Sequence, residues 1–305
     1  MPEIEVQPTV AQVRRLLQEQ LPEEFRGLVE RPLSPGAQGW DNALFRLGPA
    51  HAVRLPVRRA AVPCLLHEAR WTAVAGAPLA ALGIAVPRPV FRGRPAAGYP
   101  WPWTVVPWIE GEAVATLPLG RRGRLAEDLA RALTSLHRPA PGNAPRNPYR
   151  GVPIDARLRA APPSWPATAA VFGARRTGRL RGIVEDGLRA APWSRPPVWL
   201  HGDPHPWNLL HRGGRLAGLI DFGDVCAGDP ASDLAGAWLA FDADQRSGFR
   251  ALVESTGRYD DDVWPRAAAW AALYVAALAA NPGAGPDFDA VVRHAVAQLD
   301  PSAGA

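Results

Sequence analysis

Residues 201–233 read HGDPHPWNLLHRGGRLAGLIDFGDVCAGDPASD, and this stretch governs the reading of the whole chain. Two short β-like runs, Asn208–His211 and Leu216–Ile220, flank Gly213-Gly214, a residue pair suited to a tight hairpin turn. A hairpin returns the chain to its start, so Asn208 and Asp221 are predicted side by side at its open end. An amide carbonyl beside a carboxylate is a hard-oxygen pair. It suits a Mg²⁺ ion that keeps several waters and takes its other ligands from phosphates. Asp203, upstream of Asn208, is then available to accept a proton from a hydroxyl. Metal and base together are what phosphoryl transfer requires, because positioning and charge neutralisation do most of that catalysis.

The same residues admit blander readings. Asp, Asn and Gly in a turn-rich stretch are ordinarily turn formers, and a lone D-x-x-x-x-N would carry little. The ordered set is more specific: His201-Gly202-Asp203, then Asn208, then a hairpin, then Asp221-Phe222-Gly223. His201, His205 and His211 also invite a zinc reading, since His201 and His205 have the i, i+4 spacing of a helical pair. Pro204 and Pro206 rule out an ordinary helix interior there, and neither H-E-x-x-H nor a Cys pair supports zinc.

A chain of 305 residues, 47% hydrophobic and 21% charged, can build one large domain or two lobes with a substantial core. Cys64 and Cys226 cannot form a disulfide framework, which points to a reducing cytosol. No opening segment joins a basic start to an apolar run, so no signal peptide is expected. The longest apolar stretch, about residues 267–280, is too short to span a bilayer. A cytoplasmic protein without membrane contact is expected. The net charge is +5, and every one of the 34 basic residues is arginine; the chain has no lysine. The arginines are scattered, with no basic helix or aromatic RNA-binding motif, so nucleic acid is not an expected partner.

Apolar residues recur at helical spacing from Val10 to Leu21, where Pro22 stops the run. Ala43–Leu47 and Ala52–Leu55 read as strands, Cys64 to Ala75 as a helix, and Val90–Arg92 and Trp103–Trp108 as further strands. Arg121 to Leu136 is an amphipathic helix with Leu125, Leu129, Leu133 and Leu136 on one face. Residues 139–197 are rich in Pro, Arg and Ala, with weak helical stretches such as Gly178–Ala190, and from Asp233 onward the pattern is helical. No internal repeat is present. The coarse expectation is a small β-rich lobe followed by a larger helical one.

With these residues in place, the segment resembles the catalytic core of the aminoglycoside phosphotransferase (antibiotic kinase) family, a relative of choline kinases and of the protein-kinase fold. The likeness extends over about residues 30–300 and is densest from Trp199 to Trp238. It implies an α+β, bilobal, protein-kinase-like fold: a nucleotide-binding lobe at residues 1–107, a hinge at 108–111, and a catalytic and acceptor-binding helical lobe at 112–305. It implies Asp203 as catalytic base, Asn208 and Asp221 as Mg²⁺ ligands, His201 as a brace for the catalytic loop and His205 as a loop residue near the phosphates. Asp229 and Asp233 match the family's continuation and read as structural, Asp229 as a helix cap.

The resemblance also calls for a strand cation over the phosphates, held by an acid on the next helix. The family's usual lysine cannot be present. Arg54 takes its place, paired with Glu68, and an always-charged fork can hold both a carboxylate and a phosphate. The stretch 34–42, SPGAQGWDN, resembles the family's shortened nucleotide-covering loop, with Ser34, Gly36 and Gly39 as phosphate contacts and Asp41 and Asn42 as possible turn formers. Trp108, Ile109 and Glu110 fall at the hinge whose backbone reads the nucleobase.

Only five residues separate Gly223 from Asp229, with no A-P-E motif, which leaves no room for the activation loop of a protein kinase. The expected reaction is therefore transfer of the γ-phosphoryl group of ATP or GTP to a hydroxyl of a small molecule. An aminoglycoside-like or macrolide-like antibiotic leads as acceptor, with a metabolite alcohol such as choline or a sugar behind it. A catalytically silent nucleotide-binding protein is a third reading, disfavoured by the intact Asp203/Asn208/Asp221 set. A monomer or homodimer is expected. From Asp221 to Asp262 ten acids face three arginines, which predicts a cationic or polar hydroxylated acceptor. A neutral acceptor would instead need an apolar pocket, for which Trp238, Phe241, Trp264, Trp270 and Tyr274 are candidates.

Overall fold

The structure is a computed structural model and describes residues 3–39, 41–280 and 286–300. The first lobe is an antiparallel five-stranded sheet, β1 (Leu33–Gln38), β2 (Asn42–Leu47), β3 (His51–Pro56), β4 (Phe91–Gly93) and β5 (Trp103–Pro107), in the order β1-β2-β3-β5-β4. Alternation along β2 sends Ala43, Phe45 and Leu47 inward. Helix α1 (Val10–Gln20) lays Val13, Leu16 and Leu17 against that face, where they meet Val53, Leu55, Trp103 and Val105. Thr9 caps α1 by accepting the Gln12 N–H, and a short helix α2 (Arg26–Val29) leads into β1. Helix α3 (Val62–Ala75) follows β3, and its buried Glu68 belongs to the site described below.

The second lobe begins after β6 (Glu112–Ala113) with α4 (Gly123–Leu136), whose leucine face is fully buried as its periodicity predicts. Helices α5 (Ile154–Ala160), α6 (Trp165–Phe172) and α7 (Ala174–Arg189) follow, and the last of these resolves the weak helical signal in the Arg-rich stretch. Strand β7 (Val198–Leu200) pairs antiparallel with β10 (Cys226–Gly228), and β8 (Leu209–Arg212) forms a hairpin with β9 (Arg215–Leu219). Gly213 and Gly214 both have positive φ, 59° and 78°, as a two-residue type I′ turn demands. The lobe closes with α8 (Ala231–Leu234), α9 (Gly236–Ala240), α10 (Ala243–Ser255), α11 (Val263–Ala279) and α12 (Pro286–Leu299). Alanine lets α11 sit deep in the helical core, where nearly its whole circumference is covered. Among the described residues, no helix is long and apolar enough to cross a membrane.

The two lobes are stapled beside the hairpin. Ala85, on the connection from α3 to β4, donates its N–H to Ala217 O at 2.9 Å and accepts from Leu219 N at 3.0 Å. The sheet of the first lobe and the β8–β9 hairpin of the second are thereby held across one cleft.

Candidate active site

Asp203 lies on the loop between β7 and β8, and that loop is braced from beneath. The fully buried Asp233 accepts the N–H of His201 at 2.8 Å through Oδ2 and that of Gly202 at 2.9 Å through Oδ1. His137 reaches Asp233 at 3.2 Å and is itself held by the Tyr259 hydroxyl at 2.9 Å. Gly202 has φ +94°, and a Cβ there would stand 2.3 Å from Asp224 O, so no side chain fits. His201 donates through Nε2 to Ile220 O at 3.0 Å, and its Nδ1 accepts the Asp203 N–H at 3.3 Å. The imidazole thus ties the loop to the residue before Asp221.

The hairpin brings its two ends together. Ile220 N donates to Asn208 O at 3.0 Å, which extends the β8–β9 pairing to the neighbour of Asp221. The Asn208 amide donates to Asp203 O at 3.0 Å, so its carbonyl is the atom left for a cation. Asp221 sits at φ 63°, a left-handed conformation uncommon outside glycine and typical of functional turns. Its side chain is 52% exposed to the cleft. Burial would raise the Asp221 pKa, but Arg54, His201, His205 and the Gly223 N–H outweigh it and hold the carboxyl below its ordinary value.

Arg54 reaches across from β3. Its Nη1 bonds the buried Glu68 of α3, its Nη2 lies 3.4 Å from Asp221 Oδ1, and the Asn42 amide oxygen, turned toward it, accepts from Nε at 3.3 Å. Burial opposes the Arg54 charge, yet Glu68 and Asp221 leave its pKa raised. Burial also pushes Glu68 up, to about 7, against the pull of Arg54. His67, next to Glu68, donates to Val225 O at 2.6 Å and so fixes α3 to the segment after Asp221. His205 Nε2 stands 3.6 Å from Asp203 Oδ2, and its Nδ1 accepts the Trp207 N–H at 3.2 Å.

The remaining candidate residues lie on β1, in the turn after it and just past β5. The stretch carrying Ser34 and Gly36 is strand β1 with a bulge between Pro35 and Gln38, not a loop. Ser34 pairs with Arg46, and a Cβ on Gly36 would come 2.9 Å from Leu44 O, so that glycine serves close strand pairing. Gly39 donates to Asn42 O at 2.9 Å within the turn. Asp41 is occupied by Arg58 at 2.7 Å, while Trp40 lies outside the described residues. The Trp108 N–H donates to Ala50 O at 2.9 Å and is unavailable to a nucleobase. Arg46 covers the Trp108 ring at 4.0 Å and pairs with Glu110 at 2.7 Å; Ile109 lies between them.

The acidic run past the hairpin is largely structural. Asp229 Oδ1 accepts the Ala231 N–H at 3.0 Å, but the N-cap position of α8 is Pro230, and the stronger partner of Asp229 is the buried Arg266 at 2.7 Å. Arg266 also takes Asp260 at 2.9 Å. Asp242 caps α10, Glu254 binds Arg250 and Trp264, and Asp262 accepts Ala191 N. The aromatic set fares no better as a pocket: Phe241, Trp264, Trp270 and Tyr274 are buried in helix packing. Arg150 carried no motif and was missed in the sequence. It stands 3.7 Å from Asp203 and 3.2 Å from Asp224.

Two lobes across a cleft, with Asp203, Asn208, Asp221, Arg54 and Glu68 converging on it, can be set beside known proteins. A sequence model of the phosphotransferase enzyme family matches residues 32–270. The chain belongs to that family. It is accordingly a phosphotransferase. Solved structures agree in fold. The GDP and kanamycin complex of APH(2")-IIia is 15% identical, with a TM-score of 0.60 over 92% of this chain and 97% of that one. Macrolide 2'-phosphotransferase MphH from Brachybacterium faecium is 19% identical, with a TM-score of 0.60 over 96% and 98%. A type I macrolide 2'-phosphotransferase is 20% identical, with a TM-score of 0.58 over 98% and 99%. No curated protein sequence matches the chain.

Proposed function

We propose that the chain transfers the γ-phosphoryl group of ATP or GTP to a hydroxyl of a small-molecule antibiotic of the aminoglycoside or macrolide type, a metabolite alcohol being the alternative acceptor. The observation that carries this reading is the meeting of Asp203 with the Asn208–Asp221 hairpin end and the Arg54–Glu68 pair in one cleft. The kanamycin and GDP of the APH(2")-IIia complex support an antibiotic acceptor and a nucleotide donor.

Asp203, on a loop braced by Asp233, orients the acceptor hydroxyl and takes its proton as the bond to phosphorus forms. Arg54, held by Glu68, neutralises phosphate charge from the sheet side. His201 keeps the loop in register with Asp221, and His205 stands beside the base. Among the described residues no three His, Cys, Asp or Glu side chains gather into a metal cage. One carboxylate and one amide carbonyl instead form an open oxygen site, which fits Mg²⁺ better than zinc. When bound, Mg²⁺ would supply charge neutralisation to the phosphates from Asn208 and Asp221. The test is nucleotide binding titrated with Mg²⁺. Asp221→Ala is expected to raise the Mg²⁺ requirement more than Asn208→Ala, since it removes a charge as well as a ligand. Binding indifferent to EDTA in the parent protein would refute the metal assignment.

A further inference from the structure

A guanidinium stands beside the base and is shared by two acids. Nη2 of Arg150 lies 3.2 Å from Asp224 Oδ2 and 3.7 Å from Asp203 Oδ1. The two distances differ in kind. At 3.2 Å the guanidinium can hydrogen-bond Asp224, whereas 3.7 Å is beyond hydrogen-bond reach and leaves a contact of charge alone. The other oxygen of Asp203, Oδ2, faces His205 at 3.6 Å. Arg150 therefore lends charge to Oδ1 without occupying the lone pair that an acceptor hydroxyl needs.

The arginine is held on several sides. Its side chain is 17% exposed, its Nη1 donates to Tyr149 O at 3.3 Å, and its guanidinium lies over the Tyr274 ring at 5.1 Å. Asn147 accepts the Tyr149 N–H at 2.8 Å, closing a turn bridged from Asn147 to Arg150, and donates to Asp224 Oδ1 at 2.9 Å. One turn thus engages both oxygens of Asp224, Oδ1 through Asn147 and Oδ2 through Arg150. Flanking hydrogen bonds tie the turn to β10, from Ala227 N to Pro145 O and from Asp229 N to Gly151 O, both 2.8 Å. The backbones pack so closely there that a Cβ on Gly228 would stand 2.2 Å from Gly151 O. Strand β10 pairs with β7, which leads into the Asp203 loop. The mount of Arg150 and the loop of the base are joined through one strand pair.

An exposed ion pair would contribute little. This one is mostly enclosed, and its two acids share a single nitrogen. Without the arginine, Asp203 and Asp224 face each other with no cation between them, and like charges push the base away. Without Asp224, the arginine has Asp203 left to pair with and closes onto it, taking the oxygen that the hydroxyl needs. Asp224 is the anchor that keeps Arg150 at its distance.

Resting on the phosphotransferase reading above, we infer that Arg150, anchored by Asp224, is a positioning residue that fixes where the Asp203 carboxylate stands when it takes the acceptor proton. That proton passes to Asp203 as the new O–P bond forms and the bond to the departing nucleoside diphosphate breaks.

The test uses the full chain carrying Arg150→Met, Arg150→Lys or Asp224→Asn. Crystal structures should show the Asp203 carboxylate displaced by about 1 Å or more in Arg150→Met and in place in Arg150→Lys. In Asp224→Asn, Arg150 should move to within hydrogen-bond distance of Asp203. Turnover of erythromycin, kanamycin, glucose and choline with ATP or GTP supplies a readout that a merely structural role would not move. In Arg150→Met, kcat should fall about tenfold to a hundredfold with nucleotide KM changed by less than about twofold, and Arg150→Lys should recover most of the loss. Combined with Asp203→Asn, neither Arg150→Met nor Asp224→Asn should slow the reaction further, because both act through that carboxylate. An Asp203 carboxylate within about 0.5 Å of its parent position in Arg150→Met overturns the inference. So does an Arg150 that keeps its distance in Asp224→Asn, or a loss that multiplies with that of Asp203→Asn. Should Arg150→Met fail to fold, Asp224→Asn decides by the same structural and kinetic readings. Failure of the phosphotransferase reading would look different: the parent forms no phosphomonoester from any of the four acceptors, while the crystal structures still decide whether Arg150 places Asp203.

Discussion

Replacing Asp233 by Asn tests how the catalytic loop is held. The carboxylate accepts two backbone N–H groups, from His201 and Gly202, and meets His137, all without solvent contact. An amide has one oxygen, so one N–H loses its acceptor and faces an NH₂ donor instead. A buried donor left unsatisfied costs about 1–3 kcal/mol. The bond that remains becomes neutral and loses roughly half its strength, on the order of 1 kcal/mol more. The sum of about 2–4 kcal/mol corresponds to a fall in Tm of roughly 3–6 °C in a chain of this size. Urea unfolding of Asp233→Asn should show the loss as a lower midpoint with an unchanged slope. Steady-state kinetics should show kcat falling more than nucleotide affinity, because Asp203 is displaced and the sheet side is untouched. A stability within about 0.5 kcal/mol of the parent's would mean that Asp233 does not hold the loop, since that is the size of an ordinary surface substitution.

Arg54→Ala should weaken nucleotide binding about tenfold or more and lower Tm, because it leaves Glu68 buried without its cation. Arg54→Lys offers a sharper check, for the parent has no lysine: an amine-reactive nucleotide analogue should label position 54 of this variant and no side chain of the parent. Absence of that label would place Arg54 away from the phosphates. Glu68 is held up near 7 by burial, above its unfolded value, so its contribution to stability is present at low pH and lost as pH rises through about 7. Glu68→Gln cannot lose that proton, and its Tm relative to the parent should climb between pH 5 and pH 8. A constant difference across that range would contradict the assignment.

The parts of this site that lie close in sequence were legible there, and the parts joined through space were not. Gly213-Gly214 announces the hairpin, and the hairpin delivers Asn208 and Asp221 to one end. The leucine spacing of α4 and the alternation of β2 are likewise local signals. Strand β1 was hidden because Pro35 and Gly36 read as a loop, and its strand state comes from pairing with β2. Strands β7 and β10 are three residues each, too short to show a period. The acids after Asp221 looked free because Arg266, which neutralises Asp229 and Asp260, is remote from Asp229 in the chain and meets it only through the packing of α11. Arg150 is separated from Asp203 by three helices, and no motif marks it.

Asp203 is the proposed base for phosphoryl transfer to a hydroxyl. Its most direct test is ³¹P NMR of the products formed from ATP or GTP with a panel of macrolides, aminoglycosides, sugars and amino alcohols, using the parent and Asp203→Asn side by side. A phosphomonoester on an acceptor hydroxyl is expected with the parent and a rate about 10²–10⁴-fold lower with the variant, while both bind nucleotide equally well. An acceptor phosphorylated as fast by Asp203→Asn as by the parent, with both folded, would contradict that role.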